Sequence, residues 1–283
     1  MKTLKNIVIK GGRQKDILLD VFFKSNNTPK PIIIFSHGFK GFKDWGHFNL
    51  LAQTFAEQNF VFVKFNFSYN GTTKESPLDF ADLEAFGNNN YSIELDDLGK
   101  VIDWVLNTET LSNEIDLEQL NLLGHSRGGG ITLLKAHEDK RVKKIVTWAS
   151  VDSFLNRMKE YDLKKWKEKG VLFTLNTRTN QEMPLYYQFY KDLLKNSKRL
   201  DIITAANELT IPFLIIHGTS DLAVSFEEAN SLHLNSKHSE LILIEGAGHT
   251  FGAKHPFEDN ALPLHTEIAV KKTIEFLRKI TDR

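Results

Sequence analysis

No cysteine occurs among the 283 residues of the chain. This absence excludes disulfide bonds, cysteine nucleophiles and thiolate ligands for a metal. The chain also has no excess of charge, because 36 Lys and Arg residues balance 36 Asp and Glu residues. Without a basic stripe or an acidic tail, the composition offers no electrostatic sign of a nucleic-acid partner. We therefore expect no nucleic-acid partner, no metal and no other cofactor.

Long apolar runs are missing as well. No stretch reaches the length of about 18 apolar residues that a membrane-spanning helix needs. Residues 1–6 do not lead into the apolar segment of a secretory signal, so we expect a cytoplasmic protein without a membrane span. With 41% hydrophobic and 25% charged residues, the composition is typical of globular domains. The length suits one large α/β domain or two small ones.

Short apolar runs alternate with helical periodicity along most of the chain, after two β-type runs that predict an N-terminal hairpin. This alternation favours an α/β fold, with a mostly parallel central sheet of about eight strands and helices on both faces. Ser225 and Glu228 have the spacing of a capping box. We predict strands at 4–10, 16–23, 31–36, 60–67, 120–123, 143–150, 212–218 and 240–245, helices near 48–56, 95–106, 131–136 and 225–232, a last helix from about His265 to Ile280, and a polar loop at 68–90.

One segment interrupts the alternation. Residues 152–209 lie between two predicted sheet strands, and they are too many for an ordinary connection. We interpret this segment as a lid or cap inserted into a core formed by residues 1–151 and 210–283. The insertion mixes aromatic side chains with many lysines, as expected of a cap with one solvated face.

The pentapeptide from Gly124 to Gly128 fits the pattern G-x-S-x-G. An apolar run precedes it and a helical pattern follows it, so strand, tight turn and helix form a nucleophile elbow. Ser126 is then the nucleophile, and the backbone N–H of Arg127 can donate to an oxyanion from a helix N-terminus. The alternative is a glycine-rich turn with a chance serine.

A serine nucleophile needs a base and a carboxylate that orients this base. Asp221 is the one carboxylate between the strand at 212–218 and the next predicted helix, although it could also be a turn or capping residue. His249 follows the strand at 240–245 on a glycine-rich loop, at the same predicted sheet edge as Ser126 and Asp221. His255 is the second candidate for the base, and we expect it to be a surface loop residue. We expect five other histidines at the surface: His47, His137, His233, His238 and His265.

The loop after the strand at 31–36 begins His37-Gly38-Phe39, and the Phe39 N–H is the predicted second oxyanion donor. With these motifs, the chain resembles the α/β-hydrolase superfamily over nearly its whole length. It is most similar to bacterial cytoplasmic carboxylesterases of the cinnamoyl/feruloyl-esterase and serine-aminopeptidase-like groups. The resemblance implies a cofactor-independent hydrolase with an insertion after the sixth strand of the fold. A serine at position 126 argues against dehalogenases and epoxide hydrolases, which use aspartate there.

These motifs favour a serine hydrolase that cleaves carboxylic esters with small or aromatic acyl or alcohol groups. A peptidase or amidase with the same triad, or a non-catalytic binding protein on this scaffold, remains an alternative. The expected partner is a small-molecule ester, and a homodimer stays open. Five aromatic residues in or near the insertion are candidates for the substrate pocket, unless they form the insertion's own core: Trp148, Tyr186, Tyr187, Phe189 and Tyr190.

Overall fold

The computed structural model describes residues 1–279. Eight strands form one sheet in the order β1-β2-β4-β3-β5-β6-β9-β10, and β7 and β8 form a separate hairpin. The pairs β1–β2 and β2–β4 are antiparallel, whereas the other neighbours in the large sheet are parallel. The strands are β1 (Lys2–Lys10), β2 (Asp16–Phe23), β3 (Lys30–Ser36), β4 (Val61–Phe65), β5 (Ile115–His125), β6 (Val142–Trp148), β7 (Val171–Asn176), β8 (Gln181–Tyr186), β9 (Phe213–Gly218) and β10 (Ser239–Ile244). The prediction of a mostly parallel sheet of about eight strands is confirmed.

Helices cover both faces of this sheet. The helices are α1 (Phe48–Glu57), α2 (Leu83–Asn88), α3 (Tyr91–Asn107), α4 (Arg127–Glu138), α5 (Phe154–Arg157), α6 (Leu163–Lys169), α7 (Gln188–Lys195), α8 (Ile202–Glu208), α9 (Phe226–Leu234) and α10 (Leu264–Arg278). The α1 and α10 helices pack in one core and α3, α4 and α9 in the other. Alternate β3 residues serve the two cores, with Ile32 and Ile34 on one side and Ile33 and Phe35 on the other. This double burial explains the uninterrupted apolar runs.

The segment 152–209 leaves the sheet after β6 and returns at β9, which is the neighbour of β6. It contains four helices, α5 to α8, and the β7–β8 hairpin. Trp166 is fully buried within it, and its indole N–H donates to the Leu185 carbonyl at 2.8 Å. The α8 helix packs on α4, the helix that follows the predicted nucleophile.

The insertion is joined to the core near the predicted acid, Asp221. The backbone N–H of Asp152 donates to the Glu228 carboxylate at 3.0 Å, and the Arg157 guanidinium pairs with the same carboxylate. Arg157 also donates to the Ala223 carbonyl at 3.2 Å. These contacts connect the first helix of the insertion to the loop between β9 and α9.

Three details of the prediction change. The segment 68–90 is not only a loop, because Asp82 caps α2 by accepting from the Ala85 N–H at 2.8 Å. Polar residues surround this short helix in the sequence, so its few apolar positions do not stand out as a helical pattern. The capping box at the start of α9 is wrong, because the Glu228 carboxylate is used by the insertion and Ser225 Oγ accepts from the Glu227 N–H. The predicted end of the last helix, Ile280, lies outside the described residues.

Among the helices of residues 1–279, none combines the length and the apolar character that crossing a membrane requires.

Candidate active site

Ser126 lies in the turn between β5 and α4, in a strained backbone conformation with φ 56° and ψ −123°. A positive φ is unfavourable for a residue with a side chain and is often found at functional sites. Its amide donates to the Trp148 carbonyl on β6, and its carbonyl accepts from the Gly129 N–H, both at 2.9 Å. These bonds fix the turn on both sides of the serine.

The two glycines of the pentapeptide are required by close backbone packing. A Cβ on Gly124 would lie 2.3 Å from the carbonyl oxygen of Gly128. A Cβ on Gly128 would lie 2.3 Å from the carbonyl oxygen of Ser36, at the end of β3. The spacing of the motif therefore follows from three backbone segments that meet at the elbow.

His249 and Asp221 form a hydrogen-bonded pair beside this turn. The His249 Nδ1 atom lies 2.7 Å from the Asp221 Oδ2 atom. The other carboxylate oxygen accepts from the backbone N–H groups of Ala223 and Val224 at 2.8 and 2.9 Å. Burial alone would raise the Asp221 pKa, but hydrogen bonds from His217, His249 and the backbone hold this pKa well below its usual range. Asp221 is therefore a charged acceptor that orients His249.

His217 is a second partner of Asp221, and the sequence analysis did not assign it a role. Its Nε2 atom lies 3.2 Å from Asp221 Oδ2 and 3.0 Å from the carbonyl oxygen of Val224. The side chain is fully buried at the end of β9. Its position four residues before the acid was the available signal, since both residues flank the same tight turn.

His125 contacts the candidate base directly. Its Nε2–H group donates to the backbone carbonyl of His249 at 2.8 Å, and the two rings lie 4.8 Å apart. Burial, together with the neighbouring His249, lowers the pKa of His125 to about 3. A neutral imidazole has one N–H group, and the carbonyl places it on Nε2. His125, the residue before Ser126, thus anchors the backbone of His249 through this hydrogen bond.

The loop after β3 supplies the second candidate oxyanion donor. His37 is buried, its pKa is lowered to about 4 by burial, and its Nδ1–H donates to the Gly38 carbonyl at 2.9 Å. Within residues 1–279, the N–H groups of Phe39 and Arg127 have no acceptor in the protein. Phe39, Ser126 and Arg127 all line one cavity. The two amides are therefore free to receive an oxyanion.

Two cavities meet at Ser126 and His249. The larger has a volume of about 310 Å³, and the smaller has a volume of about 190 Å³. Gly38, Trp45 and Phe48 help to line the smaller one. The apolar wall of the larger cavity includes Tyr91, Phe154, Met158, Tyr161, Leu185 and Phe189. Ser126 thus faces open space on two sides.

The structure places one of the five predicted pocket aromatics, Phe189, in this wall. The other four lie elsewhere, so the proposed pocket is corrected. Trp148 packs on Phe251 in the same core, and its indole N–H donates to Thr273 at 3.1 Å. Tyr186 donates to Glu84 at 2.5 Å, and both Tyr187 and Tyr190 pack against Trp166 in the core of the insertion.

His255, the second candidate base, is anchored away from Asp221. Its Nδ1 atom accepts from the Gly46 N–H at 2.8 Å, and its ring packs against Phe42 and Trp45. It is therefore a partly buried structural residue rather than a surface loop histidine.

His47 is buried, contrary to the expectation of a surface position, because it packs beneath α10. Its Nε2 atom lies 3.3 Å from the Thr266 hydroxyl, which itself donates to Phe251. Its Nδ1 atom is buried and has no partner within the described residues. Protonation would place a charge on this unpartnered nitrogen, and burial lowers the pKa of His47 to about 4.

Because His47 is buried in its neutral form, we expect the protein to lose stability in acid. Between its ordinary pKa of 6.5 and its folded pKa of about 4, the unfolded chain binds a proton that the folded chain excludes. The free energy of unfolding therefore decreases as the pH is lowered through this range, by up to about 1.4 kcal/mol per pH unit from His47 alone. His47→Gln keeps a donor for Thr266 and cannot titrate, so urea unfolding should show a shallower pH dependence. Equal slopes in both proteins would contradict the burial of a neutral His47.

Solved structures similar to this chain share its fold. Est1E from Butyrivibrio proteoclasticus has a TM-score of 0.68 and 16% identity, and covers 97% of this chain and 98% of its own. A putative hydrolase from Agrobacterium vitis has a TM-score of 0.72 and 17% identity, with 98% and 99% covered. Est1E has also been solved with ferulic acid bound, at a TM-score of 0.69 and 18% identity, covering 96% of this chain and 100% of that one.

Among curated proteins, an uncharacterized protein of Pseudomonas aeruginosa, PA2218, is 29% identical over 164 residues. The match covers 57% of this chain and 38% of that relative, so it spans well under half of the relative's length. The model of the prolyl oligopeptidase family matches residues 46–262, which include Ser126, Asp221 and His249. Since this match covers most of the sequence and the sheet has the predicted topology, the chain is an α/β hydrolase and belongs to the prolyl oligopeptidase family.

Proposed function

We propose that the protein is a serine hydrolase that cleaves carboxylic esters, with Ser126 as nucleophile, His249 as base and Asp221 as the orienting acid. The observation that carries this proposal is the hydrogen bond of 2.7 Å between His249 and Asp221. It places a fixed imidazole in the cavity that Ser126 lines. Because Nδ1 faces the carboxylate, Nε2 is the nitrogen available to accept a proton.

The mechanism uses groups of this chain at every step. Ser126 Oγ attacks the ester carbonyl and its proton moves to His249 Nε2, while the N–H groups of Phe39 and Arg127 bind the oxyanion. The tetrahedral intermediate collapses, His249 protonates the leaving alcohol, and an acyl-enzyme remains. Water, deprotonated by His249, then attacks the acyl-enzyme and releases the acid and Ser126.

The two cavities support an ester with a moderate acyl group on one side and a small alcohol on the other. Five apolar residues that line the larger cavity belong to the segment 152–209, which supports a role of this segment as a cap that shapes the pocket: Phe154, Met158, Tyr161, Leu185 and Phe189. The aromatic wall suits flat acyl groups. Est1E, similar in fold, has been solved with ferulic acid, and this supports the same substrate class.

A peptidase or amidase is the second candidate, because the family match favours it. The chemistry of the triad serves both reactions. The volumes of about 310 and 190 Å³ favour a small ester over a peptide, since a peptide needs room for several residues on both sides of the scissile bond. Comparing kcat/KM for acetyl and aminoacyl esters with that for aminoacyl amides separates the two candidates. The cytoplasmic location and a homodimer stay predictions.

A fluorophosphonate probe tests the proposal at the level of one residue. It should label the native protein once, and mass spectrometry of the digested protein should place the adduct on Ser126. Urea-unfolded protein should not react, because the elbow and the base would be separated. A native protein that stays unlabelled would support the remaining alternative, a non-catalytic binding protein.

His125 provides a prediction about positioning. His125→Phe keeps an aromatic ring but removes the hydrogen bond to the His249 carbonyl, so the base loses one anchor. We expect kcat to fall about 10-fold with little change in KM, the effect of one lost hydrogen bond on a reacting geometry. His125→Gln, which keeps an N–H donor, should recover part of this loss. Equal kcat values for the two variants, at equal melting temperatures, would rule out this role.

A further inference from the structure

The side chain of Arg127 lies in the larger cavity, beside the nucleophile. Its guanidinium is 4.0 Å from the centre of the Phe39 ring, 5.1 Å from that of Tyr91 and 5.3 Å from that of Phe189. The side chain is 12% exposed. A permanent cation is therefore held against an aromatic wall, next to the atom that attacks the substrate.

Most hydrogen-bond donors of this guanidinium are unused. The group carries five N–H donors. Within residues 1–279, its side chain makes one hydrogen bond, from Nη1 to Oε1 of Glu94 at 3.3 Å. A bidentate ion pair would occupy two donors in shorter bonds. The remaining donors have no acceptor among residues 1–279, and the cavity is the space from which an acceptor can reach them.

Glu94 compensates the charge of Arg127 only in part. It is buried behind the cavity and is not among the residues that line it. Its Oε1 atom also accepts from Asn89 at 2.7 Å, and its Oε2 atom is buried without a partner in the described chain. Burial raises the pKa of Glu94 above its usual value, which disfavours the charged form. The cavity thus faces a cation whose counter-charge is weak.

The other charged residues of the cavity are already engaged. Arg157 donates to the Ala223 carbonyl and pairs with Glu160 at 3.3 Å and with Glu228. Glu160 is the carboxylate that lines the cavity, and it is 62% exposed, so solvent screens it. Of the two arginines that line the cavity, Arg127 therefore has more free donors and the weaker ion pairing within residues 1–279.

We propose that Arg127 binds a carboxylate on the acyl half of the substrate, so that the preferred esters are hemiesters of short dicarboxylic acids. This inference rests on Ser126 being the nucleophile, because the acyl group must occupy the cavity that Ser126 and Arg127 share. The planar fork of a guanidinium matches a carboxylate, and the surrounding rings keep water away from the pair. The phenyl and alkyl surfaces of the wall contact the short chain between the two carbonyl groups.

Two ethyl esters of matched length test this specificity. Wild-type kcat/KM for monoethyl glutarate should exceed that for ethyl valerate about 10-fold or more, as expected for charge-assisted hydrogen bonds. Arg127→Met should bring the ratio of the two values to about one or below. Arg127→Lys should keep part of the preference, and Glu94→Gln should increase it. Because each variant is judged by the ratio of its two kcat/KM values, any general loss of activity caused by a change next to Ser126 cancels.

Calorimetric binding separates this inference from the proposed function. Ser126→Ala, which cannot turn over substrate, should bind monoethyl glutarate more tightly than ethyl valerate, and adding Arg127→Met should remove the difference. Failure of the proposed function would show as hydrolysis of neither ester, while the calorimetric preference persists. Hydrolysis or binding of both esters without a preference, or a preference unchanged in Arg127→Met, would overturn the carboxylate site.

Discussion

Replacing Ser126 with alanine should lower kcat for a small activated ester by at least about 10³-fold, because the members of a triad act as a unit. The fold should persist, since alanine occupies the same backbone conformation and every hydrogen bond of Ser126 described above comes from its backbone. Stopped-flow and steady-state assays measure the first effect, and thermal unfolding measures the second. Ser220→Ala is the matched control, because Ser220 is exposed on the loop before Asp221.

Retention of most activity by Ser126→Ala would refute the assignment of the nucleophile. An equal loss of activity in Ser220→Ala would instead indicate damage to the loop that carries Asp221. The prediction is thus specific to one hydroxyl group and to its place at the elbow.

Replacing His249 or Asp221 should lower kcat nearly as much as replacing Ser126, but for two different reasons. His249→Ala removes the proton acceptor, and we expect a loss of at least about 10³-fold in kcat. Asp221→Asn keeps the size of the acid, but its amide can present an N–H group to Nδ1 and favour the wrong tautomer, with an expected loss of about 10²-fold or more. Combining Ser126→Ala with His249→Ala should add little to either single change.

His255→Ala is the control for His249→Ala. His255 contacts Gly46, Phe42 and Trp45 rather than Asp221, so its replacement should lower the melting temperature more than it lowers kcat. A severe loss of kcat in His255→Ala with a mild one in His249→Ala would show that the base is assigned to the wrong loop.

The elbow could be predicted from sequence because its determinants are local. The glycines around Ser126 are set by backbone contacts within one turn and one neighbouring strand, and the order of strands places the loops of Asp221 and His249 at the same edge. Each of these loops follows a short apolar run, so the sequence pattern also indicates its place in the fold.

The contacts around the triad could not be predicted in the same way. His125 and His217 act through hydrogen bonds to a backbone carbonyl and to a carboxylate, and these depend on ångström-level positions of neighbouring loops. The pocket wall was mostly misassigned because aromatic content does not reveal which side of an insertion faces a cavity. Tyr187 and Tyr190 are two and five residues after Leu185, yet they pack on Trp166.

The contacts between the segment 152–209 and the loop that carries Asp221 have a consequence for evolution and engineering. One residue, Ala223, donates its N–H to Asp221 and accepts from Arg157 of the insertion through its carbonyl. The Glu228 carboxylate, at the start of α9, holds both Arg157 and the backbone of Asp152. The segment 152–209 therefore cannot be exchanged between relatives as an independent module. A transplanted segment would need residues equivalent to Arg157 and Glu228, or the donor geometry around the Asp221 carboxylate would change together with the wall of the cavity.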